Sequence, residues 1–328
     1  MRKVKKAILT IVSISFVLAL LSSPSTVLAK KGISVNKFQI TFTGDQENAP
    51  LIYRDLVVYR RHYSPDVDIF AYDLKNGTES PLVQRPGHQS PAGLFNNYLV
   101  YNEEIASDNV DVRIKNIKTG KDFPIAEGPG YQTAGAIWGS YVAYIDGYNC
   151  GPLYIYNIYR RINFSTGQTA CRPINVWSNI LVWSDWHNTY VYGYNVGTKE
   201  LFVIAEGSGQ RTTPDVFGDT VVWVEYKDNK SEIWEKDLVS GAANVVYETT
   251  SSRLSWPTIS NQYVAWVDDR GVEAHDIFVQ KRRTREVVEV SNDGPQQPSP
   301  TIPDIYKDTV VWMSWHTGNG DIYGATFK

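Results

Sequence analysis

A nine-residue pattern that recurs along nearly the whole chain constrains the fold more than any other feature of the sequence. Each copy combines an apolar, usually aromatic, residue, a polar turn of two residues, two or three apolar residues, and a final Tyr or Trp. Seven copies align without a gap and start 39 to 46 residues apart, at 51–59, 93–101, 136–144, 175–183, 215–223, 258–266 and 304–312. A polar pair between apolar runs is typical of a tight β-hairpin. Each copy therefore predicts two antiparallel strands.

A third and a fourth strand are predicted after each hairpin. The third strands occupy 68–74, 111–117, 152–158, 190–196, 232–238, 276–282 and 321–327. A Gly-containing turn such as Asn76-Gly77 and a short apolar segment such as 201–204 follow in most units. Four antiparallel strands in a repeat of about 40 residues are typical of a propeller blade. The sequence therefore predicts an all-β fold, a seven-bladed β-propeller of four-stranded antiparallel blades.

The two ends of the chain are predicted to meet in one blade. The last unit stops at Lys328 after its third strand, and the missing fourth strand is predicted in 38–42, near the other terminus. Pairing of 38–42 beside 321–327 would close the ring and leave no exposed sheet edge between the first and last blades. Residues 30–328 are therefore expected to form a single propeller domain.

Residues 1–29 have the three-part pattern of a secretory signal peptide. A basic segment (1–6) precedes a largely apolar stretch (7–21), and short side chains at Val27 and Ala29 suit cleavage. The apolar stretch is shorter than the roughly 20 residues that span a bilayer. We therefore expect export to the cell surface, the periplasm or the extracellular space, with no transmembrane segment in the mature chain.

Charge and cysteine content narrow the partners of the mature chain. The net charge is −3, and removal of 1–29 takes away four cations and no acids, which leaves −7. An acidic chain is poorly suited to bind nucleic acid, because phosphate affinity depends on Lys and Arg. In an exported chain the two cysteines, Cys150 and Cys171, favour one disulfide over a metal site. We expect a monomer with no cofactor and no metal.

The repeat also resembles a known family. A series of Pro, an apolar residue, a turn, Val-Val-Trp, Asp-Ile-Tyr or Asp-Leu, and Thr-Gly is clearest in 214–241 and 300–323. It resembles the repeat of TolB-type (TolB-like) β-propellers over 36–328. TolB itself is similar to a six-bladed ring with an extra N-terminal domain, whereas this chain has a seventh unit and no such domain. The family includes periplasmic binding partners, secreted protease-modulating proteins and polysaccharide lyases, so the resemblance implies a fold and leaves function open.

All five histidines map to one face of the predicted disc. Loops between the second and third strands share that face with the loops between blades. The first kind of loop carries His62, His187, His275 and His316, and the second carries His88. Three interpretations remain: polar residues on a wet surface, a shared recognition face, or a catalytic or metal site with carboxylates of the same loops. The basic run Arg60-Arg61-His62 is interpreted as a solvated face.

Two loops of this face place a tryptophan beside a histidine. Trp186 precedes His187, and Trp315 precedes His316, although the repeat requires neither tryptophan. Such a pair suits stacking on a sugar or anchoring of a protein partner. Alternatively, each tryptophan folds back over a neighbouring blade. The predicted binding residues are His62, His88, Trp186, His187, His275, Trp315 and His316.

Three functions are compatible with these patterns. The leading hypothesis is a secreted, non-enzymatic binding protein that presents this face to a protein or glycan partner, because no catalytic motif is present. The alternative is a polysaccharide lyase-like, carbohydrate-active enzyme with His and Arg residues at the channel mouth. The available side chains would be His62, His88, His187, Arg211, Arg253, His275 and His316. A structural module of the cell surface is the third hypothesis. We assign no catalytic residue.

Overall fold

The computed structural model describes residues 32–63, 65–270, 275–291 and 302–328, and every regular element within these ranges is a β-strand. The predicted signal peptide 1–29 lies outside the described residues. Among the described residues, no helix is long and apolar enough to cross a membrane.

The strands form antiparallel groups of four that follow one another along the chain. A first strand, β1 (Val35–Gln39), precedes these groups. The first group contains β2 (Gln46–Tyr53), β3 (Leu56–Tyr63), β4 (Asp66–Asp73) and β5 (Thr78–Val83). The second contains β6 (His88–Phe95), β7 (Tyr98–Ala106), β8 (Asn109–Asn116) and β9 (Asp122–Ala126). The third contains β10 (Gln132–Trp138), β11 (Tyr141–Asp146), β12 (Cys150–Asn157) and β13 (Ile162–Cys171).

The same arrangement continues to the C-terminus. The fourth group contains β14 (Asn175–Trp177), β15 (Ile180–Ser184), β16 (Val191–Asn195) and β17 (Glu200–Ala205). The fifth contains β18 (Gln210–Phe217), β19 (Thr220–Lys227), β20 (Lys230–Asp237) and β21 (Ala243–Thr249). The sixth contains β22 (Arg253–Ile259), β23 (Tyr263–Asp269), β24 (His275–Lys281) and β25 (Glu286–Glu289). The last contains β26 (Asp304–Tyr306), β27 (Thr309–Ser314), β28 (Asp321–Phe327) and β1, in the order β1-β28-β27-β26.

The aromatic residue that ends each repeat lies in the core between neighbouring groups. Trp183 and Trp312 are 1% and 0% exposed. Trp183 packs in one cluster with Ile155 of the third group and Tyr194 of its own group. Because both faces of each sheet are covered by neighbouring sheets, the second strands contain a continuous run of buried apolar residues, such as Val221 to Val224. The repeat thus encodes the contacts between sheets as well as the strands.

The N-terminal segment pairs with the last strand, but the predicted bounds 38–42 were wrong. The strand is Val35–Gln39, with Val35 opposite Phe327 and Gln39 opposite Tyr323. Beyond its end, the amides of Ile40 and Thr41 still donate to the carbonyl of Ile322, at 2.8 and 3.3 Å. The strand includes the polar residues Asn36 and Lys37, because it is an edge strand and buries only one of its faces.

The first strand of most groups is bulged. The register of β2, β18 and β22 shifts at Ala49, Thr213 and Trp256, which each precede a proline and have φ of 52°, 50° and 49°. A β-bulge bends a strand and redirects its side chains. Here the residues after the bulge, Leu51 and Asp215 among them, line central cavities.

The predicted disulfide between Cys150 and Cys171 is present, and no described cysteine is free. The two residues lie opposite each other at the ends of β12 and β13. The bond therefore fixes the loop that precedes β12 to the connection that follows β13.

Candidate functional site

Three adjoining cavities run between the first strands of the groups, and we call them together the central channel. Their volumes are about 530, 150 and 360 Å³. Pro50, Leu51 and Ile302 line both the first and the second cavity, and Asp215 and Asp304 line both the second and the third. The first cavity opens on the face of the histidine-bearing loops. We call it the basic mouth because Arg60, His62, His88 and Arg172 line it.

Strand pairing brings His62 and His88 together. His62 lies near the end of β3 opposite Val67, and Val67 forms a parallel bridge to His88 at the start of β6. Both histidines line the basic mouth. Two of the predicted binding residues, separated by 26 positions in the sequence, therefore share one cavity.

Asn48 fixes the tautomer of His62. Its Oδ1 accepts a hydrogen bond from Nε of Arg60, so its Nδ2 is the atom that lies 3.1 Å from Nε2 of His62. An arginine can only donate, so the amide must donate to His62, and Nε2 of the ring is an acceptor. Burial lowers the pKa of His62, and Arg60 and His88 lower it further. His62 is therefore a neutral imidazole at pH 7.

His88 is oriented by a carboxylate. Its Nδ1 lies 3.1 Å from Oε2 of Glu104, which faces it across the β6–β7 pair. More than half of the His88 side chain remains exposed to the cavity and solvent. A proton on Nδ1 that bonds to Glu104 leaves Nε2 free to accept a hydrogen bond or a proton.

The two arginines of the basic mouth lack an acidic partner. No described carboxylate lies within 4.0 Å of the guanidinium of Arg60 or Arg172, although other arginines of the chain form such pairs. Burial lowers the pKa of Arg60, whereas Arg172 is exposed at the edge of the cavity. A lowered pKa means that the surroundings disfavour the cation, so a bound anion would relieve that penalty.

Two tyrosines complete the wall. The rings of Tyr131 and Tyr148 meet edge to face, with centroids 4.9 Å apart. The hydroxyl of Tyr131 donates to the carbonyl of Ser107, at 3.0 Å, and 62% of Tyr148 is exposed. An exposed, laterally supported ring is a suitable platform for the apolar face of a sugar.

The other predicted binding residues lie outside this cavity. His275 stands 3.6 Å from Asp269, at the start of β24. Trp186 is 69% exposed, and His187 beside it is also exposed. Asp185 accepts hydrogen bonds from three backbone amides of that loop, which fixes the loop and points Trp186 outward.

Trp315 and His316 differ from this first pair. Trp315 packs against a core cluster that joins the last group to the first, including Ile52 and Met313. It therefore folds back over a neighbouring sheet, as the second interpretation of the sequence expects, whereas Trp186 does not. His316 is exposed, and its backbone amide donates to Ser314.

Sequence reasoning missed Arg60, Arg172 and Tyr148. Arg61 is 6% exposed and pairs with Glu47 and Glu79, so the basic run is not a solvated face. Residues of a strand alternate between its two sides, which separates Arg61 from its two neighbours. That alternation was available in the sequence, whereas the meeting of Arg172 with Arg60 depends on the tertiary fold.

A structural metal centre in a protein needs several ligand side chains that converge on one point. No group of three His, Cys, Asp or Glu side chains among the described residues could hold a metal ion. In the basic mouth, Nε2 of His62 is used by Asn48 and Oε2 of Glu104 by His88. These residues do not fit a metal centre with three protein ligands.

The chain matches no family model and no curated protein, so the resemblance to TolB-type repeats stays a prediction. Solved structures do match. One is an oligogalacturonate lyase in complex with manganese, with a TM-score of 0.66 at 10% identity, covering 91% of this chain and 97% of that one. Another is the β-propeller domain of the Trilobed protease from Pyrococcus furiosus, at 0.65 and 9%, covering 88% and 96%. An oligogalacturonate lyase from Vibrio parahaemolyticus follows at 0.62 and 11%, covering 90% and 97%. At these identities the likeness shows the fold, which is that of a β-propeller.

Proposed function

We propose that this protein is an exported binding protein that takes an acidic saccharide into the basic mouth of a closed, seven-bladed propeller. One observation carries the proposal. Arg60 and Arg172 line a cavity of about 530 Å³, and no described carboxylate lies within 4.0 Å of either guanidinium. Pockets of a few hundred Å³ with a few convergent polar groups are typical ligand sites.

Ring closure is supported by both the termini and the channel. The pairing of β1 with β28 gives the last group its fourth strand. The third cavity of the channel is lined by residues of the first strand of every group, from β2 to β26. Seven such strands around one cavity are the geometry of a seven-bladed ring.

Export is supported by the leader pattern of 1–29 and by the disulfide. Disulfides form and persist in oxidising compartments such as the periplasm and the extracellular space. The Cys150–Cys171 bond is compatible with either location.

An acidic sugar matches the chemistry of the basic mouth. A uronate carboxylate can accept two parallel hydrogen bonds from one guanidinium. The ring of the same sugar can stack on Tyr148, which lines the cavity on the same side as Arg172. Two of the proteins with a similar fold are oligogalacturonate lyases, and their name supports an acidic sugar as the ligand of this chain.

A lyase-like enzyme is the second candidate, and the His88–Glu104 pair favours it. A carboxylate that orients one ring nitrogen of a histidine makes the other nitrogen an effective base. In this scheme Nε2 of His88 takes the proton beside the sugar carboxylate, the resulting electron pair forms a carbon–carbon double bond, and the glycosidic oxygen leaves with a proton from water. None of these steps requires a metal ion.

Titration calorimetry with trigalacturonate tests the binding proposal. Maltotriose, a neutral trisaccharide, is the control ligand. Arg172→Gln should weaken binding of the acidic ligand about ten-fold or more, because hydrogen bonds to a charged group contribute about 1.5 to 3 kcal/mol. Arg160→Gln is the matched control, since Arg160 is exposed on a turn between β12 and β13. Equal binding of both trisaccharides, or full affinity in Arg172→Gln, would contradict the proposal.

The same ligand separates binding from catalysis. Prolonged incubation with oligogalacturonate should leave its chain length unchanged if the protein only binds. Appearance of an unsaturated, ultraviolet-absorbing product that is lost in His88→Ala would establish the lyase instead.

A further inference from the structure

The opposite end of the central channel carries a ring of aromatic side chains. They occupy the third position of the repeat in six of its seven copies, and we call them the aromatic collar: Tyr53, Phe95, Trp138, Trp177, Phe217 and Tyr306. Consecutive rings touch, with centroids 4.9 Å apart from Tyr306 to Tyr53, then 5.1, 4.5, 3.7 and 3.9 Å on to Phe217. All six are half-buried. Five line the cavity of about 360 Å³, and Phe95 fills the arc between Tyr53 and Trp138.

Carboxylates lie on one side of the channel beneath this collar. Asp215 and Asp304 occupy the first position of the repeat and line the same cavity. Each of them bonds to the next sheet: Asp304 accepts from the amide of Ile52 at 2.7 Å, and Asp215 accepts from that of Ile259 at 3.0 Å. No described Lys, Arg or His lies within 4.0 Å of either carboxylate. The channel therefore holds two acids without a described counter-ion.

The adjoining narrow section contains a polar atom that lacks a partner. Thr213, which is 8% exposed, lines the cavity of about 150 Å³ together with both aspartates. Its Oγ1 has no hydrogen-bond partner among the described residues. Buried polar groups are almost always hydrogen-bonded, so an unsatisfied one beside a cavity indicates a ligand or solvent group.

The rings of the collar already attract cations at its rim. The Nζ atom of Lys307 lies 5.6 Å from the ring centroid of Tyr306, and the guanidinium carbon of Arg54 lies 5.4 Å from that of Tyr53. A cation within about 6 Å of an aromatic face is attracted by the ring quadrupole. Five of the six rings line the cavity, so a cation that enters the channel would contact them.

We propose that this second mouth binds a small organic ammonium ion, with the aromatic collar around the cation and Asp215 and Asp304 as its counter-charges. A quaternary ammonium group is the best probe, because each of its methyl groups can contact a ring. A neutral sugar could stack on the collar, but it would leave the two carboxylates without a counter-ion. The carboxylates therefore favour a cation over a neutral sugar as the ligand. The site is independent of the basic mouth at the other end of the channel.

The test uses choline and its uncharged isostere, 3,3-dimethyl-1-butanol. At pH 8, titration calorimetry of the mature chain should show choline binding about ten-fold tighter than the isostere, because a desolvated cation–π contact is worth about 1 to 2 kcal/mol. Choline should also change the tryptophan fluorescence, and the change should be reduced in Trp177→Phe. Equal binding of both compounds would overturn the proposal and indicate a merely apolar pocket. Absence of choline binding would overturn it too.

Two variants identify the carboxylates as the counter-charges. Asp304→Asn should weaken choline binding about ten-fold. Asp308→Asn, in the exposed turn that follows β26, is the matched control and should bind as the parent does. Full affinity in Asp304→Asn overturns the proposal.

Two measurements remain informative if Asp304→Asn does not fold. Lys307→Gln removes a competing rim cation and should strengthen choline binding. In the parent chain, choline affinity should rise from pH 5 to pH 8, because burial raises the pKa of Asp215 to about 6 and that of Asp304 to about 7. Lys307 is the other charged residue that lines this cavity. The hairpin turns around it carry Arg54, Asp55, Asp219 and Asp308, and all four keep their charge between pH 5 and pH 8. An affinity unaffected by both changes overturns the proposal. Arg172→Gln should not alter choline binding, which keeps this result separate from the test of the basic mouth.

Discussion

Ile40 offers a sharp test of how the N-terminal segment holds the two ends of the chain together. It lies just beyond β1 and is 2% exposed. Its cluster joins Ile52 and Val57 of the first sheet to Val311 and Ile322 of the last. Replacement of a buried isoleucine by alanine costs about 2 to 5 kcal/mol, because the transfer free energy is lost and a cavity remains. We expect Ile40→Ala to lower the free energy of unfolding by about 3 kcal/mol.

Phe42 is the matched control, two positions further along and 75% exposed. Phe42→Ala should change the free energy of unfolding by less than about 0.5 kcal/mol, as is usual for surface substitutions. In a thermal melt followed by circular dichroism, about 3 kcal/mol corresponds to a Tm lower by about 6 to 12 °C. A similar loss in both variants would restore the strand 38–42 that the sequence predicts, since that strand places both side chains on one face. An unchanged Tm in Ile40→Ala would show that the terminal segment does not hold the ring.

Three further predictions concern other parts of the chain. Trp186→Ala should leave the Tm nearly unchanged, whereas Trp315→Ala should lower the free energy of unfolding by about 2 kcal/mol, because only Trp315 packs against a core cluster. Equal Tm values for the two variants would contradict this prediction. Reduction of the Cys150–Cys171 bond should lower the free energy of unfolding by about 3 kcal/mol in guanidinium titrations, since the oxidised bond restricts the unfolded chain; identical titrations with and without reductant would refute it. Burial raises the pKa of Asp304 to about 7, so the stability that its proton provides is complete below about pH 4 and is lost as the pH rises through 7. The free energy of unfolding, measured in urea at pH 5 and pH 8, should therefore fall less in Asp304→Asn than in the parent, and an equal fall would contradict the assignment.

The sequence predicts the strands well because the repeat is read seven times. Each copy supplies a hairpin with its turn, and Trp183 and Trp312 lie in the core as the pattern requires. The bounds of β1 could not be found in this way, because β1 lies outside the nine-residue repeat and therefore cannot be aligned with the other copies. In that strand Phe38 lies opposite Gly324, and its ring is so close that a Cβ added to Gly324 would lie 2.6 Å from it. Such a contact between the two termini leaves no trace in local hydrophobicity.

The basic mouth was only half predictable. His62 and His88 follow from loop positions on one face, and the structure places them beside each other. Arg172 could not be assigned to the same cavity, because it lies more than a hundred positions away from Arg60 and its direction depends on the connection after β13. Whether Trp315 packs or protrudes was also open, since the choice depends on the space left by the neighbouring sheet.

The chemistry along the central channel depends on which residue occupies the first position of each repeat. The first and third positions of each copy lie on the first strand of each group, and most of them line the central channel. From the first group to the last, the first position is occupied by Leu51, Gly93, Ala136, Asn175, Asp215, Thr258 and Asp304. A strictly repeated residue there would make a symmetric lining, whereas this series gathers oxygen atoms on one side and apolar groups on the other. Variation at the first position therefore changes the chemistry of the channel, although Asp215 and Asp304 also bond to the next sheet.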